Sequence, residues 1–327
     1  MIDTRIDTIS NIAFYNYIDA DNLSRSYKEH LSGYSTWEHK KHAAEYLLYP
    51  ENIGEKISID EVSLSDGELY SIVTNKSAKE KKGALISILN GTKVEEIEAF
   101  LTKISIGKRL KVKEITLDMA KNMESASEHC FPNAKRVTDR FHVVRLVSDA
   151  LQHVRIKYRW EAIKLENESI NKARENHTRY NSEVFANGDT RKQLLARSRY
   201  LLFKTPANWS KNQQVRAQIL FKEYPILKQA YYLSMHFRSL YNCQEKDTAR
   251  IKMMQWIEDT EKSGIDEYNT AANSIKMNLE NILNFFHNRS TNANAESFNA
   301  KLKGFRAIQR GIKDINFFLF RLEKLFA

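Results

Sequence analysis

Apolar residues recur with two different rhythms between positions 56 and 138. Residues 56–64 step between apolar and polar with a period of two, placing Ile57 and Ile59 on one face and Asp60 and Val62 on the other, as a half-buried strand requires. Ser65-Asp66-Gly67-Glu68 then reads as a hairpin turn, because Asp-Gly supplies the positive φ that tight turns need. Residues 69–74 give a second strand, and residues 81–89 a third that ends at Asn90-Gly91. The rhythm then slows to helical spacing at Val94, Ile97, Phe100, Leu101 and Ile104. Residues 112–118 read as a fourth strand, residues 121–131 as a helix stopped by Pro132, and residues 134–138 as a fifth strand.

Three meandering strands followed by helix, strand, helix, strand is the order of an RNase H-like core. The predicted class is therefore α/β, with an RNase H-like mixed sheet, a large all-α insertion and a small helical N-terminal region. Residues 1–55 read as short helices, one of them starting at Ser35-Thr36-Trp37-Glu38 and running toward Pro50. Residues 56–140 form the first part of the core, residues 141–284 the helical insertion, and residues 285–327 a late helix and a closing helix that complete the core. Val143, Leu146, Val147, Ala150, Leu151 and Val154 form one stripe of the insertion, and Met253, Trp256 and Ile257 contribute to another.

Composition sharpens this picture. With 42% hydrophobic residues, 16 Phe and 15 Tyr in 327 residues, the chain can bury a substantial core, and four Pro with ten Gly favour helices over disorder. The net charge of +10 is uneven: residues 140–245 hold 19 Lys or Arg against nine Asp or Glu, and the remainder balances at 32 of each sign. Aromatics such as Tyr158, Trp160, Tyr180, Tyr200 and Trp209 are interleaved with that charge, which suits a polyanion such as nucleic acid better than a set of merely solvated helix faces. Two cysteines, Cys130 and Cys243, form no CxxC pair, which excludes a zinc ribbon and points to thiols in a reducing compartment. No apolar run approaches the ~20 residues of a membrane span, and the first residues lack the apolar centre of a signal peptide, so a cytoplasmic bacterial protein is expected, bound to the nucleoid when on DNA. No P-loop, HExxH or Gly-x-Ser-x-Gly occurs.

Three carboxylates carry the candidate chemistry. Asp60 lies in the first strand, Asp118 ends the fourth, and Glu296 opens the late helix. In an RNase H-like topology the first and fourth strands are neighbours, so acids 58 residues apart in sequence meet in space. Each acid alone reads as an exposed strand acid, a strand-end turn former or a solvated helix acid. Together they suit two Mg²⁺ or Mn²⁺ ions roughly 3.5–4 Å apart, with Asp60 bridging and Asp118 and Glu296 each holding one. Strand alternation puts Asp66 on the same face as Asp60, so pattern leaves both open as the first ligand. Asn292, Glu296, Asn299 and Lys303 share one face of the late helix, a surface for metal and phosphate or a plain polar face. Arg289 lies just upstream as a phosphate contact or an exposed side chain. In Asp139-Arg140-Phe141-His142, Asp139 is a fourth acid that reads first as a helix cap or a partner of Arg140, and otherwise as support for the metals. Arg140 and His142 are further candidates for contact with DNA.

The runs Leu117-Asp118-Met119-Ala120, Cys130-Phe131-Pro132-Asn133-Ala134 and Thr138-Asp139-Arg140-Phe141-His142-Val143-Val144, with Asn294-Ala295-Glu296-Ser297-Phe298-Asn299-Ala300-Lys301-Leu302-Lys303, resemble the DDE transposases of bacterial insertion sequences, most closely the ISL-three type. The resemblance covers about residues 56–326. It implies that Asp60, Asp118 and Glu296 form a metal-binding triad that cleaves double-stranded DNA at transposon ends and transfers the strands into target DNA, in a homo-oligomeric assembly. Such transposases usually begin with a zinc-binding and helix-turn-helix region, which this chain lacks. That departure assigns end recognition to a separate protein, or makes the chain truncated or no longer mobile. Two competing readings keep the same core: a structure-specific RNase H-like nuclease without strand transfer, and an inactive transposase-derived DNA-binding protein.

Overall fold

The structure is a computed structural model that describes residues 1–64, 69–309 and 314–327. In chain order the regular elements are α1 (Ile9–Tyr15), α2 (Ala20–Ser26), β1 (Tyr46–Leu48), β2 (Lys56–Ser63), β3 (Leu69–Asn75), β4 (Leu85–Asn90), α3 (Val94–Leu101), α4 (Ile106–Arg109), β5 (Glu114–Leu117), α5 (Lys121–Cys130) and β6 (Lys135–Thr138). Then come α6 (Arg140–Glu175), α7 (Arg191–Arg197), α8 (Lys211–Glu223), α9 (Pro225–Leu240), α10 (Lys246–Ser263), α11 (Asp266–Met277), α12 (Leu279–Leu283), α13 (Phe285–Asn288), α14 (Ala293–Ile308) and α15 (Ile315–Phe326). They divide into two compact units: residues 1–139 with 288–327, and residues 140–287.

The first unit is built on one six-stranded sheet in the order β1-β4-β3-β2-β5-β6. β2, β3 and β4 form an antiparallel meander, and β5 and β6 add on the far side parallel to β2, each reached through a helical crossover. This is the RNase H-like arrangement, with a mixed sheet whose parallel half needs cover on both faces. Period-two alternation sorts the side chains. Ile57, Ile59, Ile115 and Leu117 join the core formed with Ile97, Phe100, Leu101, Met123, Ala126 and Phe131 from α3, α5 and their flanks. Val62, Tyr70, Ile72 and Ile88 face the opposite way, into a core made with Phe298, Leu302 and Phe305 of α14 and Phe318, Leu319 and Leu322 of α15. Asp60 shares the parity of Val62, and so lies on the α14 side of the sheet.

The N-terminal region departs from the expected run of helices. The segment that reads as a helix from Ser35 to Pro50 contains only short 3-10 turns, followed by β1 pairing antiparallel with β4 (Tyr46 opposite Leu89) at the sheet edge. Its aromatics override local propensity. Tyr34 and Trp37 pack on Phe320, at 5.3 Å between centroids in each case. Glu323 accepts hydrogen bonds from Trp37 Nε1 and the Tyr49 hydroxyl, each at 2.7 Å. One continuous helix would not deliver Trp37 and Tyr49 to the same carboxylate. The expected turn at Ser65-Asp66-Gly67-Glu68 lies outside the described residues.

The second unit is helical. Val143, Val147, Ala150, Leu151 and Val154 are the buried stripe of α6, and α9 buries Leu227, Ala230, Tyr231, Leu233 and Phe237. Buried polar groups are tied to backbone: Trp256 Nε1 donates to Leu233 O at 2.8 Å, and the Tyr268 hydroxyl to Ala230 O at 2.6 Å. Thr190 with Gln193 and Ser210 with Gln213 form capping boxes that start α7 and α8. No helix among the described residues is long and apolar enough to cross a membrane.

Candidate functional site

Strand register determines where the acids fall. β2 and β5 run parallel with Ser58 beside Thr116, so two residues further along Asp60 stands beside Asp118. β5 and β6 pair Leu117 with Thr138, so the next pair is Asp118 and Asp139. The ladder does continue to that point, because Asp139 N–H donates to Leu117 O at 2.9 Å. Neighbouring strands are ~4.8 Å apart, and residues paired in register point the same way. Three aspartates therefore stand side by side on one face of three adjacent parallel strands, Asp60 within β2 and Asp118 and Asp139 just past the ends of β5 and β6.

Helix α14 lies over that face. Phe298, Leu302 and Phe305 recur at helical spacing and are buried in the core with α15, and this fixes the helix rotation. Asn299, 8% exposed, then meets the sheet, and its Nδ2 donates to Asp60 Oδ2 at 2.7 Å. Asp60 Oδ1 accepts the Glu61 N–H at 2.9 Å, and Asp118 Oδ1 accepts the Ala120 N–H at 2.8 Å. Glu296, one turn before Asn299, is exposed, and one of its carboxylate oxygens lies within 4.8 Å of one from Asp139. Asp139 is 2% exposed; its Oδ1 accepts the Asn292 N–H at 3.2 Å, and its Oδ2 has no hydrogen-bond partner. Asn292, fully buried at the start of α14, has neither side-chain amide atom hydrogen-bonded. Its carbonyl receives the Glu296 N–H at 2.9 Å.

A second polar layer lies one strand step below. Glu114 has the parity of Asp118 and is 5% exposed. It accepts hydrogen bonds from Ser290 and Asn288, and Lys76 Nζ approaches its Oε1 at 3.4 Å while donating to Thr116 Oγ1 at 2.7 Å. Burial alone would push the Glu114 carboxyl up. The hydrogen bonds from Ser290 and Asn288, with the charge of Lys76, outweigh burial and hold it below the ordinary carboxylate value. Burial pulls the Lys76 ammonium below its usual value against the opposing pull of Glu114. The segment leading into α14 is thus bolted to β5. The turn after β3 grips the helix itself: Asn294 Nδ2 donates to Lys76 O at 3.2 Å, and Glu80 receives the Ser297 hydroxyl at 2.6 Å and Lys301 Nζ at 2.7 Å. Lys79 and Glu80 hold φ of +48° and +60°, a left-handed conformation costly for residues with a Cβ.

The structure sets Asn299 against Asp60 and the Asn292 amide against Asp139, whose carboxylate approaches that of Glu296, while Asp60, Asp118 and Glu296 do not group within 4.8 Å of one another among the described residues. Asp66 lies outside the described residues. Arg289 is exposed with φ +54°, and Lys303 is exposed on α14. Arg140 and His142 sit in the first turn of α6, in the second unit, where the Arg140 guanidinium lies 5.2 Å from the centre of the Tyr241 ring. Sequence reasoning missed Lys76, Glu80 and Glu114. Only Glu114 left a signal, since it is four residues before Asp118 in one strand and so shares its face. In the second unit, burial and then the charges of Arg159 and Arg199 pull the Arg155 guanidinium below its usual value. Arg159 and Arg199 are exposed beside Trp160 and Tyr200, which are 66% and 68% exposed. Such a group of like charges among open aromatic rings favours an anion.

The donor set of the first unit is all hard oxygen: carboxylates converging on one face, with a buried carboxylate oxygen unsatisfied. Mg²⁺ or Mn²⁺ fits this set, and a soft thiolate-seeking ion does not. The chain is similar to the transposase for insertion sequence element IS1001 of Bordetella parapertussis, 24% identical over 273 residues that cover 83% of this chain and 61% of that relative, so it spans about three-fifths of the relative's length. No solved structure matches. Residues 57–322, which contain the first-unit acids and the whole helical unit, match the ISL-three-type family, described as transposase. With most of its length inside that match, the chain belongs to the ISL-three-type family of DDE transposases.

Proposed function

We propose that this protein cleaves double-stranded DNA at the ends of an insertion sequence and joins the freed strands to target DNA, with Asp60, Asp118 and Glu296 holding two divalent ions. What supports the reading is the strand register that runs Asp60 alongside Asp118 and Asp118 alongside Asp139, together with the approach of a Glu296 carboxylate oxygen to Asp139. Two bound Mg²⁺ or Mn²⁺ ions would activate the attacking oxygen and stabilise the leaving one. The chain's own side chains prepare the ground for this. Asn299 fixes the Asp60 carboxylate from above, and the Glu61 and Ala120 amides orient Asp60 and Asp118 from their own strands. Lys76, Glu114 and Glu80 hold the entry and flank of α14, so that Glu296 is positioned before DNA arrives.

In cleavage, water attacks the phosphorus and the bond to the 3′ oxygen breaks, leaving a 3′ hydroxyl. In joining, that hydroxyl attacks a target phosphodiester and the target's own 3′ oxygen leaves. Arg159 and Arg199 with Trp160 and Tyr200 offer a backbone-binding surface with little base reading. Arg140, His142, Arg289 and Lys303 are further candidate contacts, and a homo-oligomer is the assembly we expect.

Joining separates this reading from a structure-specific nuclease. A labelled, pre-cut element end with a free 3′ hydroxyl is incubated with plasmid, Mg²⁺ and protein. Covalent transfer of label to the plasmid is expected, and it should be abolished by Asp60→Asn. Hydrolysis of branched substrates without transfer would replace the transposase reading with the nuclease one.

A further inference from the structure

We infer that Asp139 is a fourth carboxylate of the metal site, sharing the ion on the Glu296 side. The inference rests on the metal-dependent reading above and adds a ligand to it. Register places Asp139 beside Asp118 at the end of β6, as Asp118 stands beside Asp60. Its side chain is 2% exposed, and its single hydrogen bond among the described residues is the one Oδ1 accepts from Asn292. Oδ2 is buried and receives no donor, and a carboxylate oxygen of Glu296 stands within 4.8 Å of one of the two Asp139 oxygens.

A buried carboxylate oxygen without a donor has lost water, and the nearby Glu296 carboxylate adds like charge, against which the Lys76 ammonium acts on Asp139 with opposite sign. A divalent cation between the two removes both penalties. The one donor on the Asp139 side chain among the described residues is the Asn292 N–H at Oδ1, so a cap or an ion pair at Oδ2, the roles the sequence offers first, finds no donor there. The Asn292 side chain gives an independent sign, because the residue whose own N–H holds this carboxylate is fully buried with neither side-chain amide atom hydrogen-bonded. Asp139 also ties the site to its helix. Its Oδ1 holds the N–H of the residue whose carbonyl receives the Glu296 N–H, so an ion drawing in Oδ2 would settle the first turn of α14 in the same movement.

The test is Mn²⁺ binding to the full chain, read by electron paramagnetic resonance of the free ion, for wild type, Asp60→Asn, Glu296→Gln, Asp139→Asn and Asp139→Cys. Asp139→Asn keeps an oxygen to accept the Asn292 N–H but loses the charge, so it isolates ligation from anchoring. We expect it to weaken the affected ion about tenfold or more, in the range of Glu296→Gln. Asp139→Cys should lose Mg²⁺-supported DNA cleavage and regain it with Mn²⁺, since thiolate suits the softer ion. A purely structural Asp139 would show no such exchange. Wild-type affinity in a folded Asp139→Asn, with Asp60→Asn and Glu296→Gln both weakened, would overturn this inference alone. Wild-type affinity in all variants, or no binding by the wild type, would overturn the metal-site reading with it. Should the Asp139 variants not fold, anomalous scattering from Mn²⁺ in wild-type crystals answers directly. A peak within coordination distance of the Asp139 carboxylate is expected, and an ion at Asp60 and Asp118 that leaves Asp139 untouched would refute the inference.

Discussion

The buried pair beneath the acids offers a sharp test of how α14 is held. Lys76 and Glu114 have side chains only 10% and 7% exposed, with Nζ and Oε1 3.4 Å apart. At an effective dielectric of about 20, two unit charges at that distance attract by about 5 kcal/mol. Desolvation of the ammonium offsets part of this, so Lys76→Met should cost about 3 kcal/mol, because it strands a buried carboxylate. That corresponds to roughly 6–12 °C in Tm for a unit of this size. Adding Glu114→Gln removes the stranded charge while keeping an acceptor for Ser290 and Asn288, and should recover more than half of the loss. The same residue sets an acid-side signature. Because Glu114 has a folded-state pKa below its usual value of 4.5, its contribution is present above about pH 4.5 and is lost as pH falls through the lowered value. Glu114→Gln should flatten that part of the stability–pH curve. Calorimetric unfolding of the single and double variants between pH 3 and 7 measures all of this. A Lys76→Met loss below about 1 kcal/mol, or no recovery in the double variant, would show that the pair does not anchor the helix.

Other consequences are simpler. Hydrogen bonds from Lys301 and Ser297 outweigh burial to hold the Glu80 carboxyl below its ordinary value, so Glu80→Ala should cost about 1–2 kcal/mol and lower kcat for DNA cleavage more than it changes KM; steady-state kinetics at saturating Mg²⁺ checks this. Leu302→Ala, in the fully buried seam of α14, should cost about 2–5 kcal/mol, read as a lower urea midpoint with unchanged slope. Asn299→Ala removes the hydrogen bond to Asp60 Oδ2 and should raise the Mg²⁺ concentration needed for half-maximal nicking, whereas Asn299→Asp should abolish nicking by placing like charge on Asp60. Arg159→Ala with Arg199→Ala should weaken DNA binding alike on all sequences and reduce the salt slope by about 0.9 for each phosphate that is no longer neutralised. Fluorescence anisotropy across a salt titration measures that slope.

The site was partly legible in the sequence because its parts obey short-range rules. Ile57, Ile59 and Val62 announce the strand of Asp60, and residues 112–117 announce the strand that Asp118 ends, so topology alone brings the two acids together. Phe298, Leu302 and Phe305 announce the buried face of α14, beside which Asn299 reaches Asp60. Features that depend on distant partners were hidden. β1 exists because Trp37 and Tyr49 find Glu323, some 274 or more residues away, and nothing in residues 35–50 reports that. Lys76 reads as a loop lysine until Glu114 and Ser290 surround it. Asp139 carries the local signature of a helix cap, and only the folded chain sets its carboxylate within 4.8 Å of that of Glu296.

Metal-dependent cutting by the acids under α14 is best put to the test by nicking of a labelled duplex carrying the element's own end, compared between wild type and Glu296→Gln in Mg²⁺. The substitution nearly preserves shape and removes the charge a metal requires. Wild type should nick, and the nicking should disappear on chelation and in Glu296→Gln, while DNA binding is retained in both proteins. Equal nicking by the two, or DNA bound without any Mg²⁺-dependent cut by wild type, would contradict a metal site built on Glu296.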